Sequence, residues 1–146
     1  MTEVDSNDSA YFEYFKIIQS TINRLANNSF LIKAWSITLI GGISILTFSI
    51  LNTLIFSVLI GIVIIFWILD SYYLKTEKLF RELYRDNVDK YNSPKLRNTI
   101  RVFDMKTEIY KENIKLFKVM LSKTEILFYI SLICGLFILL VLNFVP

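Results

Sequence analysis

The chain has 146 residues and a formal net charge of +3, and 54% of its residues are hydrophobic while only 20% are charged. No charged residue occurs in residues 34–69 or 126–146, and uncharged apolar segments of about 18 or more residues are typical of membrane spans, which excludes an ordinary soluble enzyme. There is no histidine, and the single cysteine, Cys134, cannot form an internal disulfide. We therefore expect no enzymatic activity, no metal site and no cofactor.

Residues 1–29 are predicted to form an amphipathic helix in the cytoplasm. Apolar residues recur at helical spacing over residues 11–27. Asp8 or Ser9 can cap the start of this helix, because their side chains accept hydrogen bonds from free backbone N–H groups. The polar residues 27–29 predict that the helix ends or bends before the membrane.

Residues 30–74 are predicted to form a transmembrane hairpin. As a single helix, the uncharged segment 34–69 would be about 54 Å long, whereas the hydrocarbon core of a bilayer is about 30 Å thick. The segment must therefore fold back, and Asn52 and Thr53 provide the natural turn.

The hairpin brings two charged residues to one membrane depth. Lys33 lies 18 residues before Leu51, and Asp70 lies 17 residues after Thr53. Two interpretations are open at this point. Lys33 and Asp70 form an ion pair near the interface, or each side chain is hydrated separately.

Residues 75–124 are predicted to form a basic cytoplasmic segment, in which the second helix continues until Ser93 and Pro94 stop it. Residues 95–103 fit either a strand or a helix. We expect a short extended piece, because β-branched residues cluster there. A further amphipathic helix is expected to begin at Thr107 and to lie at the membrane interface.

Residues 125–146 are predicted to form the third transmembrane helix, and the charges predict its orientation. All 16 Lys and Arg residues lie on one side of the three predicted spans. By the positive-inside rule, that side and the N-terminus face the cytoplasm, and the C-terminus lies outside. The predicted fold is an all-α membrane protein with three transmembrane helices and additional cytoplasmic amphipathic helices.

The basic segment has two interpretations. Between Lys75 and Lys123 there are 13 basic and 7 acidic residues. This charge can fix the topology and contact anionic lipid. Alternatively, it can bind a soluble anion such as a nucleotide or an oligonucleotide, whose bases would stack on the interleaved aromatic residues. The candidate anion-binding residues are Lys95, Arg97, Arg101 and Lys106.

Small and hydroxyl-bearing residues recur in the spans. A pair of small residues four positions apart occurs in each span, at Thr38–Gly42, Ser57–Gly61 and Ser131–Gly135. Such pairs predict close helix packing, within one chain or between chains. The first span is the most polar and is the best candidate to line a pore if the protein oligomerises. The candidate pore-lining residues are Ser36, Thr38, Ser44, Thr47 and Ser49.

Two stretches of the sequence resemble a known group of proteins. The first is residues 15–30 (FKIIQSTINRLANNSF) with 33–36 (KAWS), and the second is residues 66–74 (FWILDSYYL) with 77–81 (EKLFR). Both resemble small bacterial membrane proteins that accompany antiphage defence genes, similar in layout to the SLATT effectors of CBASS-like systems and to the channel of the Hailong system. The resemblance covers about the first 85 residues and, weakly, Leu116–Tyr129, and the third span departs from the two-span SLATT plan.

The resemblance implies a homo-oligomeric channel or pore-forming effector in the bacterial inner membrane. It further implies gating by a cytoplasmic nucleotide or oligonucleotide made by a partner nucleotidyltransferase or cyclase. The alternative is a non-conducting accessory membrane subunit that docks a partner protein through its N-terminal helix.

Overall fold

The computed structural model describes the backbone of residues 3–50 and 53–144 and the side chains of residues 8–48, 50 and 53–143. All regular secondary structure of the described residues is helical, and no strand occurs among them. Its α-helices are α1 (Glu3–Thr47), α2 (Thr53–Asn92), α3 (Leu116–Met120) and α4 (Lys123–Phe144). Short 3-10 helices occur at Phe48–Ile50, Arg97–Thr99 and Glu108–Tyr110.

Three of these helices, α1, α2 and α4, are long and apolar enough to cross a membrane. This confirms the predicted all-α class with three spans and indicates a multi-pass membrane protein. At a rise of 1.5 Å per residue, α1 and α2 are roughly 68 and 60 Å long. Because a bilayer core is about 30 Å thick, about half of each helix extends beyond it.

Helix α1 does not end at residues 27–29, so the predicted helix boundary there was wrong. Instead of capping a new helix, Ser29 is buried and donates a hydrogen bond to the carboxylate of Asp70 on α2. Tertiary contacts of this kind override the weak helix propensity of Asn and Ser. The expected boundary at residue 29 therefore lies inside α1, and the boundary at residue 74 lies inside α2.

Helices α1 and α2 pack against each other as a long hairpin. Thr53, which was expected in the turn, is the first residue of α2. Leu51 and Asn52 lie outside the described residues. Helix α4 packs mainly against α2 and approaches α1 at fewer places.

The buried apolar residues form two clusters on this frame. The membrane core comprises Ile40, Leu59, Val63, Tyr129 and Leu136. The extramembrane core comprises Tyr11, Tyr14, Ile18, Ile22, Leu83 and Ile100. The second cluster joins the first half of α1, the second half of α2 and the segment that follows α2.

Residues 95–103 form a turn and a 3-10 helix instead of the expected extended piece. The backbone N–H of Ile100 donates to the carbonyl of Arg97 at 3.2 Å, and the Ile100 side chain is buried in the extramembrane core. Anchoring Ile100 in this way requires a tight local turn, which a strand cannot provide.

The helix expected from Thr107 is also divided. A 3-10 helix spans Glu108–Tyr110, and the separate α3 follows. The Tyr110 hydroxyl donates to the carboxylate of Asp86 on α2, with 2.7 Å between Oη and Oδ2. Tyr110 is held against α2, whereas Phe117 is exposed. The two residues therefore do not lie on one face of a single amphipathic helix.

Candidate functional site

A cluster of polar side chains lies next to the membrane core and joins the three long helices. This polar layer consists of Ser29 and Lys33 on α1, Asp70 on α2, and Glu125 and Tyr129 on α4. The Lys33 ammonium group contacts the Asp70 carboxylate and also lies 2.8 Å from Oε1 of Glu125. The structure therefore confirms the first of the two interpretations, in which Lys33 and Asp70 form an ion pair.

Asp70 is fully buried and has three hydrogen-bond donors. Ser29 and Lys33 donate from α1, and the Tyr129 hydroxyl donates from α4 with 3.0 Å between Oη and Oδ2. The ring of Tyr129 also stacks on Trp67, with the centroids 5.5 Å apart. A carboxylate can remain charged away from water only when donors surround it in this way.

Glu125 is the member of the polar layer that the sequence analysis missed. It is 1% exposed, accepts a hydrogen bond from Lys33, and has no partner for its Oε2 atom among the described residues. One sequence signal could have found it. Glu125 is the last charge before the uncharged segment 126–146, just as Lys33 and Asp70 border the segment 34–69.

The candidate pore-lining hydroxyl groups do not share one face of α1. Ser36 and Ser44 are buried inside the chain, whereas Thr38 is exposed and Thr47 is partly buried. All four donate to carbonyl groups of their own helix, at 2.6–3.0 Å. The side chain of Ser49 lies outside the described residues. Only Thr38 is therefore directed fully away from the chain.

The small-residue pairs in the three spans face outwards. No side chain and no atom of a neighbouring helix lies within 4 Å of the position that a Cβ atom would take at Gly42, Gly61 or Gly135. Their partners Thr38 and Ser131 are exposed as well. These pairs are thus not used for packing within the described chain and remain accessible to other helices.

The four candidate anion-binding residues are not brought together. The Arg97 guanidinium is paired with Asp8 and lies over the ring of Tyr91, with Cζ 4.3 Å from the centroid. Lys95 is exposed and lies apart from Arg101 and Lys106. Arg101 and Lys106 line one open pocket.

This pocket has a volume of about 340 Å³ and lies between α1, α2 and the segment after α2. Its polar lining includes Tyr14, Asp86, Lys90, Arg101, Lys106 and Tyr110. Asp86 is paired with Lys90, with 2.7 Å between Nζ and Oδ2, and accepts the bond from Tyr110. Burial, and then this bond, raise the pKa of Tyr110 above its usual value. Arg101 and Lys106 make no ion pair with any described residue, so both are available to an anion.

The loop that carries Arg101 and Lys106 has a strained residue at its centre. Phe103 has φ of 67°, which is rare for a bulky side chain. The loop is held by Tyr14, whose hydroxyl donates to the backbone carbonyl of Asp104. Tyr14 also packs edge-on against Phe103, with the centroids 6.1 Å apart. A contact from α1 therefore fixes the position of the two unpaired cations.

No family model, curated protein or solved structure matches this chain. In the part of the chain that the structure describes, no three His, Cys, Asp or Glu residues are grouped to hold a metal ion. The two polar sites can act through charge. The pocket offers unpaired cations to an anion, and the polar layer encloses two carboxyl groups and one ammonium group.

Proposed function

We propose that this chain is the subunit of a homo-oligomeric channel or pore-forming effector in the bacterial inner membrane, gated by an anionic nucleotide or oligonucleotide. The observation that carries this proposal is the position of the pocket. Arg101 and Lys106 face α1 and α2, and the same two helices continue without a break into the membrane. A ligand that binds differently to two arrangements of these helices shifts the population between them.

The outward-facing small residues support assembly from several copies. In lipid, such residues let helix backbones approach closely, and those at Gly42, Gly61 and Gly135 have no packing role within the chain. A pore between copies would be lined by the Thr38 face of α1, because Ser36 and Ser44 face inwards. Among the candidate pore-lining residues whose side chains are described, Thr38 is the one that is fully exposed on this face.

The side chains of the pocket and the resemblance both support a ligand that carries phosphate groups. Guanidinium and ammonium groups bind phosphate oxygens well, and Phe103 is exposed beside them for stacking on a base. The positive-inside rule places the pocket in the cytoplasm. The resemblance to SLATT-like effectors supports a partner nucleotidyltransferase or cyclase as the source of the signal.

Ion flux through liposomes that contain the purified protein tests the proposal. The flux should change when a panel of nucleotides and short oligonucleotides is added on the pocket side. The variant R101E/K106E should lose this response, while the control K115E/K118E, with the same change in charge outside the pocket, should keep it. The absence of flux under every condition would refute a channel, and an equal response of both variants would refute the pocket.

One observation favours the alternative of a non-conducting subunit. An open groove of about 550 Å³ lies between α1 and α2 and is lined by aromatic residues that include Phe12, Phe15, Tyr84 and Tyr91. Phe12 is 56% exposed although it is large and apolar. An amphipathic helix of a partner protein would fit such a groove. In that case the chain alone would not conduct, and F12A would abolish partner binding without changing the fold.

A further inference from the structure

The charges of the polar layer do not balance. Lys33 supplies the single cation, whereas Asp70 and Glu125 supply two carboxyl groups that are 0% and 1% exposed. The other polar side chains that bond to this group, Ser29 on α1 and Tyr129 on α4, are neutral. With both carboxyl groups ionised, the layer would hold one uncompensated negative charge away from water, which is strongly unfavourable.

The hydrogen bonds show which carboxyl group must be neutralised. Asp70 accepts bonds from three donors, so its negative charge is well compensated. Glu125 accepts a bond only from Lys33, and its Oε2 atom is buried without a partner among the described residues. An ionised carboxylate can only accept hydrogen bonds, whereas a protonated carboxyl group is uncharged and carries a hydrogen on one of its oxygens. Burying a neutral carboxyl group with one unbonded oxygen costs far less free energy than burying a carboxylate in the same position, so Glu125 is the group that carries the proton.

We propose that Glu125 is a proton-binding site that controls the attachment of α4 to α1. At neutral pH its carboxyl group carries one proton, and the polar layer then contains a single balanced pair, Lys33 with Asp70. When the pH rises, Glu125 releases the proton to water and the buried layer becomes negatively charged. Water then enters, and the repulsion between the ionised carboxylates of Glu125 and Asp70 loosens the start of α4 from the hairpin of α1 and α2.

The packing explains why α4 is the element that responds. Among the described residues, the bond from Lys33 to Glu125 is the one hydrogen bond between α1 and α4. The same Lys33 ammonium group also lies 5.8 Å from the ring centroid of Phe128 on α4. Apart from the apolar membrane core, in which Ile40 of α1 and Leu136 of α4 take part, the polar contact between these two helices thus depends on one carboxyl group. This inference does not rest on channel activity and can be tested without it.

Infrared spectroscopy of the full-length protein in an ester-free detergent tests the proton directly. At neutral pH the wild type should show the C=O stretching band of a protonated carboxylic acid. The band should be lost in E125Q and shifted in E125D, which keeps a carboxyl group on a shorter side chain. The control E77Q should retain the band, because Glu77 on α2 is also buried but its Oε1 atom lies 2.5 Å from Nε of Arg81. A wild type without the band, or an E125Q variant that keeps it, would overturn the proposal.

The thermal stability of the same samples tests the coupling. The melting temperature of the wild type should fall as the pH rises above neutral, whereas that of E125Q, which imitates the protonated form, should not show this fall. A parallel fall in both proteins would overturn the proposal. A wild-type stability that depends on Na⁺ at constant ionic strength, and not in E125Q, would identify a metal cation as the ligand and would likewise overturn it.

Discussion

Arg97 is paired with Asp8, and this contact joins the segment after α2 to the N-terminal part of α1. The guanidinium also lies over the rings of Tyr91 and Tyr11, with Cζ 4.3 and 5.6 Å from the centroids. Arg97 was expected to bind an anion. In the structure its guanidinium contacts Asp8, Tyr11 and Tyr91 instead, and the proposed anion site therefore consists of Arg101 and Lys106.

We therefore expect R97A to lower stability rather than ligand response. The lost ion pair and ring contacts are together worth about 1 kcal/mol, because both side chains are partly exposed. Thermal unfolding of the purified protein measures this loss. The charge exchange D8R/R97D should recover part of it, and a ligand response that disappears in R97A at full stability would contradict the structural role.

Removing Lys33 should be far more damaging. The variant K33M would leave Asp70 and Glu125 buried without their shared cation, and breaking a buried pair on one side costs about 3–5 kcal/mol. Fluorescence-detected size-exclusion chromatography should show little folded protein. The triple variant K33M/D70N/E125Q replaces all three ionisable side chains by uncharged ones and should restore much of the folded fraction. Equal loss in both variants would show that the ion pair itself is not the cause.

The variant G42L tests assembly. Since no neighbouring side chain lies within 4 Å of a Cβ at Gly42, the larger residue should fit the single chain but prevent close approach of another helix. Native mass spectrometry in mild detergent should show a smaller assembly than the wild type. The control L46F changes a residue that is 82% exposed on the same helix and should assemble normally. A wild-type protein that is a monomer would remove the channel proposal as well.

The variant Y14F tests how the pocket loop is held. It loses the hydrogen bond to the carbonyl of Asp104, a loss of about 1 kcal/mol, and frees the loop that carries Arg101 and Lys106. The free energy of ligand binding should change by more than the free energy of unfolding. The control Y11F removes a longer bond, 3.4 Å from the Arg97 carbonyl, and should leave the affinity unchanged.

Ligand binding should depend strongly on salt. Contacts between phosphate and Lys or Arg weaken as salt rises, so the affinity should fall steeply between about 50 and 200 mM salt. The variant R101A should show a smaller slope than the wild type in the same titration. An affinity that is independent of salt would indicate a ligand held by apolar contacts.

The sequence predicted the parts of the fold that depend on composition and counting. The uncharged segments predicted the three spans, and nearly equal distances from the turn predicted that Lys33 and Asp70 lie at one membrane depth. The sequence left open whether these two residues form an ion pair. The contact of Glu125 with Lys33 joins positions 92 residues apart, and the position of Glu125 at the border of an uncharged segment indicates its depth but not its partner. The 3-10 helix at Arg97–Thr99 depends on Ile100 entering a core formed by distant helices, which outweighed the local preference of β-branched residues.

The continuity of α1 and α2 has a mechanical consequence. Each helix is continuous, and the carboxylate of Asp70 joins the two helices near their middle. A helix held near its middle acts as a lever. If the proposed phosphate ligand drew Arg101 and Lys106 together and moved Tyr14 inwards, Ile40 on the far arm of α1 would move outwards. The proposed channel would then need no flexible joint to carry the signal into the membrane, and a glycine pair at residues 27 and 28 should uncouple the two ends of α1.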